Sequence, residues 1–314
     1  ISGEFKGTFS HGSHSVQSKG EKDGFILKVP QVDVSSVEWF QAFGGTDDDF
    51  VSDIRVGPNG EIFLAGSYRG KSVFGSISQS AVGLNDCFIA KLDTRGSWEN
   101  IYFGGGAGND EITSFTIQSL KRIIVCGNFM TDFKWGNRKI KSYGKQDGFI
   151  AVLTDTGNCV SLSAYGGTGN DSIDAMVNNV GQIFFAGSFD NDIDLAKKSF
   201  STSGGRDSYI ALLAIGGSHA LDAIHLGGGG EDIINQIDSS MVGHFLVSGI
   251  SGGEISSGGI FPSAVTGNQN SYVSLFGPKQ FSPTFYPTPQ TSVLSSNVYE
   301  YDFITGPWPK GAPL

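Results

Sequence analysis

Short apolar runs, separated by glycine-rich polar turns, recur along the whole chain. Runs of this length are too short for amphipathic helices and are typical of buried β-strands bounded by turns. In the clearest set, which we name strand B, each run ends in glycine: Ile62–Gly66, Ile123–Gly127, Ile183–Gly187 and Phe245–Gly249. Ile1-Ser2-Gly3 has the form of the end of another copy.

A second landmark is an aromatic or apolar residue followed by two glycines and an acidic turn. The glycine pairs are Gly44-Gly45, Gly104-Gly105, Gly166-Gly167 and Gly227-Gly228. The aspartates that close the turns recur at a step of 61 residues: Asp49, Asp110, Asp171 and Asp232. This spacing predicts a strand D before each glycine pair and a strand A after each aspartate.

A third landmark is a polar residue, a spacer and then an aromatic strand, which we name strand C. Its copies begin at Asp23, Asp86, Asp147, Asp207 and Asn270. Their aromatic residues are Phe25, Phe88, Phe149, Tyr209 and Tyr272. Burial of each ring would contribute roughly 1.5–3 kcal/mol. The chain is therefore predicted to be a repeat protein.

Four short strands in about 61 residues are typical of one blade of a β-propeller. We therefore predict an all-β fold, a β-propeller of about five four-stranded antiparallel blades forming a single domain over residues 1–303. The predicted units are approximately 1–45, 46–105, 106–167, 168–228 and 229–290. The first copy lacks strand A, and the alternating stretch 297–303 is predicted to complete the first blade. The region 281–289, rich in proline, is expected to be an edge strand or loop, and 304–314 an extended C-terminal arm.

Together these motifs resemble the β-propeller repeat of secreted bacterial proteins, a family sometimes named for seven-bladed propellers. Ile62–Ser67 with Asp86–Gly96 is the clearest copy, and the resemblance covers nearly all of residues 1–280. The resemblance implies an exported protein, extracellular or at the cell surface, as in Bacteroidota and similar bacteria with an outer membrane. It implies a scaffold and no catalytic residue. Asn270 departs from the family's aspartate at the last copy.

Composition changes this picture little. The net charge of −10 shows no basic surface of the kind that nucleic acid needs, so no nucleic-acid partner is expected. The three cysteines do not form a disulfide framework, although one bridge is open to them. No apolar run is long enough to span a bilayer. Because the chain starts at Ile1, removal of a signal peptide and a trimmed sequence are the two explanations we consider.

The acidic turns are the most suggestive chemical feature. In a propeller they would gather around the mouth of the central channel, and their oxygens suit Ca²⁺. The alternative, which we favour, is that they cap turns by accepting backbone N–H groups. No cofactor is expected, with Ca²⁺ at the turns as the open alternative. The candidate binding residues are Asp47, Asp48, Asp49, Asn109, Asp110, Asn170, Asp171, Glu231 and Asp232.

Other polar residues are expected to be structural. The strand C aspartates are predicted to bond neighbouring turns, and the five histidines lack metal-ligand spacing. Trp39 and Trp98 occupy matched repeat positions and are predicted to pack between blades. Trp135 and Trp308 lie outside the repeat pattern and are predicted to contact a partner.

We expect a non-catalytic scaffold that binds a protein partner in a secretion, adhesion or surface assembly. A glycan-binding lectin and a glycoside hydrolase are the alternatives. Specificity is expected in insertions that differ between copies, 69–84, 130–143, 190–203 and 251–267. Because these differ in length and chemistry, they favour a protein partner over a lectin with equivalent sites.

Overall fold

A computed structural model describes residues 1–119, 122–241, 244–252, 255–256, 270–276, 290–295 and 298–302. Every regular element within these ranges is a β-strand. The chain divides into two compact units, unit 1 (Ile1–Ala164) and unit 2 (Tyr165–Leu314). The prediction of an all-β fold made of antiparallel sheets is confirmed.

The first eleven strands end at Tyr165. They are β1 (Ser2–His11), β2 (His14–Lys28), β3 (Trp39–Gly45), β4 (Asp49–Val56), β5 (Ile62–Phe74), β6 (Ile77–Leu92), β7 (Trp98–Gly105), β8 (Glu111–Ser119), β9 (Arg122–Trp135), β10 (Arg138–Thr154) and β11 (Cys159–Tyr165).

The remaining strands belong to unit 2. They are β12 (Ser172–Asn179), β13 (Gln182–Phe189), β14 (Asp192–Leu195), β15 (Lys198–Ser201), β16 (Asp207–Leu213), β17 (Ala220–Gly228), β18 (Asp232–Met241), β19 (His244–Ser251), β20 (Ile255–Ser256), β21 (Asn270–Phe276), β22 (Gln290–Ser295) and β23 (Val298–Asp302).

The predicted strand order A-B-C-D is present as a hydrogen-bonded order in the sheets. Strands β4, β5, β6 and β7 pair in succession, as do β8 to β11 and the set β12, β13, β16 and β17. In the last repeat β18, β19 and β21 pair in the same way. Each repeat is thus one antiparallel meander.

A single cross-strand contact explains the strand B glycine and the strand C aromatic residue. The two residues are directly opposite each other in every repeat, as in the pair Gly127↔Phe149. A Cβ at Gly127 would lie 2.0 Å from the Glu111 carbonyl oxygen and 2.9 Å from the Phe149 ring. Glycine is therefore needed for strand A and the ring to approach this closely. The other pairs are Gly3↔Phe25, Gly66↔Phe88, Gly187↔Tyr209 and Gly249↔Tyr272.

Beyond this contact the B and C strands continue as a two-stranded projection, which we call an arm. The cross-strand partners define arm 1 (8–17), arm 2 (71–80), arm 3 (132–141) and arm 4 (192–201). The insertions predicted as loops at 69–84, 130–143 and 190–203 are therefore largely ordered hairpins. The insertion 251–267 lies mostly outside the described residues.

Arms also join neighbouring repeats within a unit. The glycine pair of strand D bonds to the arm of the next repeat, as in Gly44↔Val73 and Gly45↔Ser72. The same contact joins β7 to β9 and β17 to β20. One arm face is buried against the sheet, and Phe74 and Phe133 on it are 0% exposed. We call these main-chain junctions seams.

Each arm leaves the sheet at a residue with positive φ, four positions after the strand B glycine. Glycine occupies this position at Gly7 and Gly70, whereas Thr131 and Asn191 have φ of 65°. Asparagine tolerates this conformation, but a β-branched threonine does not. Thr131 is exposed and strained.

Replacing Thr131 with glycine should therefore stabilise the protein, by about 0.5–1 kcal/mol once the entropy of glycine is subtracted. Urea unfolding would measure the change. Thr116→Gly, in regular strand β8, is the matched control and should destabilise by about 1 kcal/mol. Equal loss of stability in both variants would contradict the strain at Thr131.

The core of each unit contains apolar side chains from all four strands of the repeat, A to D. Unit 1 has clusters around Phe115, Phe129 and Phe149, around Phe43, Phe74 and Phe88, and around Phe5, Phe25 and Leu27. Unit 2 has a cluster that includes Phe184, Phe245 and Tyr272.

The C-terminal prediction is resolved in part. Val298–Asp302 is a strand, within the stretch 297–303 predicted to be one, and its described partner is β22. Its pairing with the first blade stays a prediction, and 281–289 and 304–314 lie outside the described residues. Among the residues that the structure describes, no helix is long and apolar enough to cross a membrane.

Candidate functional site

The aspartates that close the acidic turns are buried side chains that bind backbone. Each accepts a hydrogen bond from the glycine N–H four residues earlier, at 2.9 Å for Gly45 to Asp49 and 2.6 Å for Gly106 to Asp110. The Gly167 N–H does the same for Asp171. All four aspartates, Asp49, Asp110, Asp171 and Asp232, are at most 1% exposed. The favoured interpretation as turn caps agrees with this geometry.

In Asp110 and Asp171 the second carboxylate oxygen ties the turn to strand B. Asp110 Oδ1 accepts the Met130 N–H at 3.3 Å, and Asp171 Oδ1 accepts the Asp190 N–H at 3.1 Å. In the last repeat the Ser251 hydroxyl donates to Asp232 Oδ1 at 2.5 Å. The carboxylates of Asp110 and Asp171 are thus bonded through both oxygens, whereas Asp49 Oδ1 and Asp232 Oδ2 are buried and have no hydrogen-bond partner among the described residues.

The strand C aspartates form a second buried set. Each accepts the N–H of the residue four positions earlier, as from Val82 to Asp86 at 2.9 Å and from Ser203 to Asp207 at 3.0 Å. The equivalent bonds run from Lys19 to Asp23 and from Tyr143 to Asp147. These bonds give the aspartates the structural role expected from the sequence, but in three copies the donor lies in the same strand as the aspartate, in β2, β6 or β10, and not in a neighbouring turn.

The two sets of aspartates meet around the glycine pair, which the sequence did not reveal. Asp23 lies beside Gly44, where a Cβ would be 2.4 Å from its carboxyl carbon, and its charge acts on Asp49. Asp86 has the same relation to Gly105 and Asp110. Only one side of this pairing has a signal in the sequence: Asp49 and Asp110 each lie four residues after a glycine, whereas Asp23 and Asp86 lie 21 and 19 residues before the glycine that they contact.

This contact also corrects the alignment of one copy. An aromatic residue precedes Gly104-Gly105, and the sequence pattern therefore predicts these two as the glycine pair of this copy. In the structure the glycine that bonds Asp110 from four residues earlier is Gly106, so the pair equivalent to those of the other copies is Gly105-Gly106.

Burial dominates the ionisation of these carboxyls. It raises the pKa of Asp49 and of Asp110 to about 7, outweighing the backbone N–H donors that act in the opposite direction. Burial also raises the pKa of Asp23, Asp86 and Asp232. A carboxyl group that is buried beside another carboxyl group favours its neutral form, because little water is present to stabilise its negative charge.

The remaining turn residues do not assemble into a metal centre. Asp48 accepts the Lys22 N–H at 3.2 Å, and Asn170 donates to Asp190 at 3.2 Å. Asp47 and Asn109 are half-buried and Glu231 is exposed. Within the described ranges no group of three or more histidine, cysteine, aspartate or glutamate side chains is arranged to hold a metal ion.

One histidine breaks the repeat pattern. His225 Nε2 lies 2.7 Å from Asp207 Oδ2, and its ring contacts Phe189 and Phe200. A histidine–aspartate pair acts in acyl transfer only when the imidazole also meets a nucleophile. His225 instead packs against Phe189 and Phe200 beside the buried Asp207, which fits the packed histidine expected from the sequence.

The tryptophans and cysteines are mostly structural. Trp39 and Trp98 pack against the Phe43 cluster, as predicted for core packing. The prediction that Trp135 contacts a partner is wrong for this structure, because its ring lies over Gly104 and is only 2% exposed. Trp308 lies outside the described residues. All three cysteines are free thiols.

The outer faces of the arms are where the repeats differ. Each arm has four positions that point outward, and these are equivalent in cross-strand register. Their side chains are hydroxyls and an amide in arm 1, mixed in arm 2, mainly basic in arm 3, and acidic with hydroxyls in arm 4. They are Thr8, Ser10, Ser15 and Gln17 in arm 1; Lys71, Val73, Ser78 and Ser80 in arm 2; Asp132, Lys134, Lys139 and Lys141 in arm 3; and Asp192, Asp194, Ser199 and Ser201 in arm 4.

The contrast between buried and exposed positions defines the candidate site. The aspartates and glycines of the frame recur from copy to copy, with Asn270 as an exception, while most outward arm residues are exposed and differ. Variable exposed positions on a rigid frame are the usual location of binding specificity. Comparison of the sequence with protein-family models and with curated proteins finds no match.

Proposed function

We propose that this chain is a non-catalytic binding scaffold that docks a protein partner through its arms. The observation that carries the proposal is that four ordered arms, three in unit 1 and one in unit 2, have the same cross-strand register but four different outer faces. A protein surface is heterogeneous and suits faces that differ in chemistry. The proposed setting is a secretion, adhesion or surface assembly outside the cytoplasm, in line with the family resemblance.

The finer fold belongs to the same proposal. A closed propeller of about five blades, completed by the C-terminal strand, would bury the faces of successive sheets and leave the arms outside. The repeated A-B-C-D meander and the seams between repeats support it.

Two other functions are less well supported. A lectin with one site per blade would repeat its sugar-binding residues, whereas the outer faces of the arms differ. A glycoside hydrolase needs two carboxyl groups that face the substrate. The aspartates of both buried sets instead accept backbone N–H bonds inside the frame.

Affinity purification of the intact protein from its native source, combined with cross-linking mass spectrometry, tests the proposal. We expect one specific partner, with cross-links to arm lysines such as Lys71 and Lys139. Replacing the outward residues of individual arms with serine should release that partner, because the frame is unaffected. The control changes Asn59 and Glu61, in a turn away from the arms, to serine.

The outcomes separate the alternatives. Retention of the partner by every arm variant would contradict docking through the arms. Binding of the same sugar by several equivalent sites on a glycan array would favour the lectin. Turnover of glycosidic substrates would favour the hydrolase.

A further inference from the structure

Arm 3 concentrates positive charge in a chain whose net charge is −10. Five cationic side chains lie within residues 134–145, and every one is exposed. They are Lys134, Arg138, Lys139, Lys141 and Lys145. Tyr143, which lies between the last two, is 67% exposed. Net charge over the whole sequence conceals this local basic surface.

The arrangement of these lysines opposes stability. Lys134 and Lys139 are direct cross-strand partners on the outward face. Like charges in this position are destabilising. The nearby carboxylate, Asp132, bonds Lys139 at 2.7 Å and is the cross-strand partner of Lys141. Asp132 thus interacts with Lys139 and Lys141, while Lys134 faces another lysine across the arm, so the arm carries more positive than negative charge.

We infer that arm 3 binds an extended acidic segment of the partner protein. This inference rests on the proposed function and adds the chemistry of one contact. Residues two apart on a strand are about 6.6–7 Å apart and project to the same face. A partner strand with acidic side chains at alternate positions has the same spacing. Its carboxylates would therefore pair with Lys139 and Lys141, and Lys134 lies next to these two lysines.

The composition of the arm favours carboxylates over phosphates. Three of the four cations of arm 3 are lysines, as is Lys145 beyond it, whereas the planar fork of arginine is the preferred group for phosphate. Nucleic acid and phospholipid surfaces would also meet the acidic remainder of the chain. A second copy offers Asp192 and Asp194 on arm 4, but Asp194 Oδ1 already accepts the Ser199 hydroxyl at 2.6 Å.

The test uses the full chain and a fluorescent peptide of alternating glutamate and threonine. Fluorescence anisotropy should show binding that weakens as ionic strength rises. The triple variant Lys134→Gln, Lys139→Gln and Lys141→Gln should bind about tenfold more weakly, since three exposed ion pairs are lost. The melting temperature of this variant should not fall, because the substitutions also remove the repulsion between Lys134 and Lys139.

Matched controls isolate the position of the charges. Lys6→Gln, Lys22→Gln and Lys28→Gln together remove the same charge from exposed sites outside the arms, and this variant should bind the peptide as the parent does. Asp155→Asn with Asp238→Asn, also exposed and outside the arms, should leave binding unchanged. A peptide of alternating glutamine and threonine should not bind.

Several results would overturn the inference. They are failure of the parent to bind the acidic peptide, equal weakening in both lysine variants, and stronger arm-dependent binding of heparin, DNA or phosphatidylserine vesicles. Dimerisation that the arm 3 variant abolishes would assign the surface to a second copy. The partner of the proposed function can still be captured through the other arms, so the two failures are distinguishable.

Discussion

Alanine in place of Gly127 is expected to destabilise the protein by about 3–5 kcal/mol, the range of severe core overpacking and strain. The new methyl group would meet the Glu111 carbonyl oxygen at 2.0 Å and the Ile112 Cα at 2.9 Å. Both atoms belong to the paired backbone of strand β8, so relief requires that β8 separate from β9. Chemical denaturation followed by tryptophan fluorescence would measure the loss.

The atoms that the new methyl group would meet in strand β8 belong to the backbone, and this allows a control. Reducing the facing ring in the double variant Gly127→Ala, Phe149→Leu should recover little stability, because the carbonyl contact remains. Gly229→Ala, where a Cβ meets nothing within 4 Å, should be close to neutral. A loss below about 1 kcal/mol at Gly127 would show that β8 can shift, contrary to the close packing described.

Stability should fall as the pH rises from about 5 to about 8. Burial raises the pKa of Asp49 and Asp110 to about 7 in the folded protein, from 3.8 in the unfolded chain. Between these values the folded state holds more protons than the unfolded state. The stabilising contribution is therefore complete below about pH 4 and is lost through about pH 7, at roughly 2–3 kcal/mol for each carboxyl over the measured range.

Asp49→Asn isolates one of these groups. The amide oxygen can still accept the Gly45 N–H but carries no charge, so the variant should lose about half of the pH dependence and exceed the parent in stability at about pH 8. Asp155→Asn with Asp238→Asn, at exposed positions, should keep the full dependence. Parent stability that rises towards pH 8 would show that the N–H donors outweigh burial.

Much of the repeat could be predicted from sequence because its contacts are local and periodic. Gly66 and Phe88 recur at fixed spacing since each copy needs the same close approach between strands B and C. The acidic turns are equally regular, and regularity itself indicated a structural role for Asp110. The bonds from Gly106 and Met130 agree with that interpretation.

The arms could not be predicted because their structure depends on a partner strand in another repeat. Residues 72–74 and 134–135 lie within predicted insertions, yet they pair with the preceding strand D. Trp135 appeared to be exposed for the same reason: its packing surface, Gly104, is far from it in sequence. The pairing of Asp23 with Asp49 likewise joins two repeats and has no local signal.

The seams have a consequence for how such an array changes over time. Because backbone amides and carbonyls are common to all residues, a seam accepts almost any sequence apart from the small residues at Gly44 and Gly45. A copy that arose by duplication could join its neighbour at once, without a matched set of side chains. Its outward positions could then accumulate substitutions while the backbone pairing at the seam is retained.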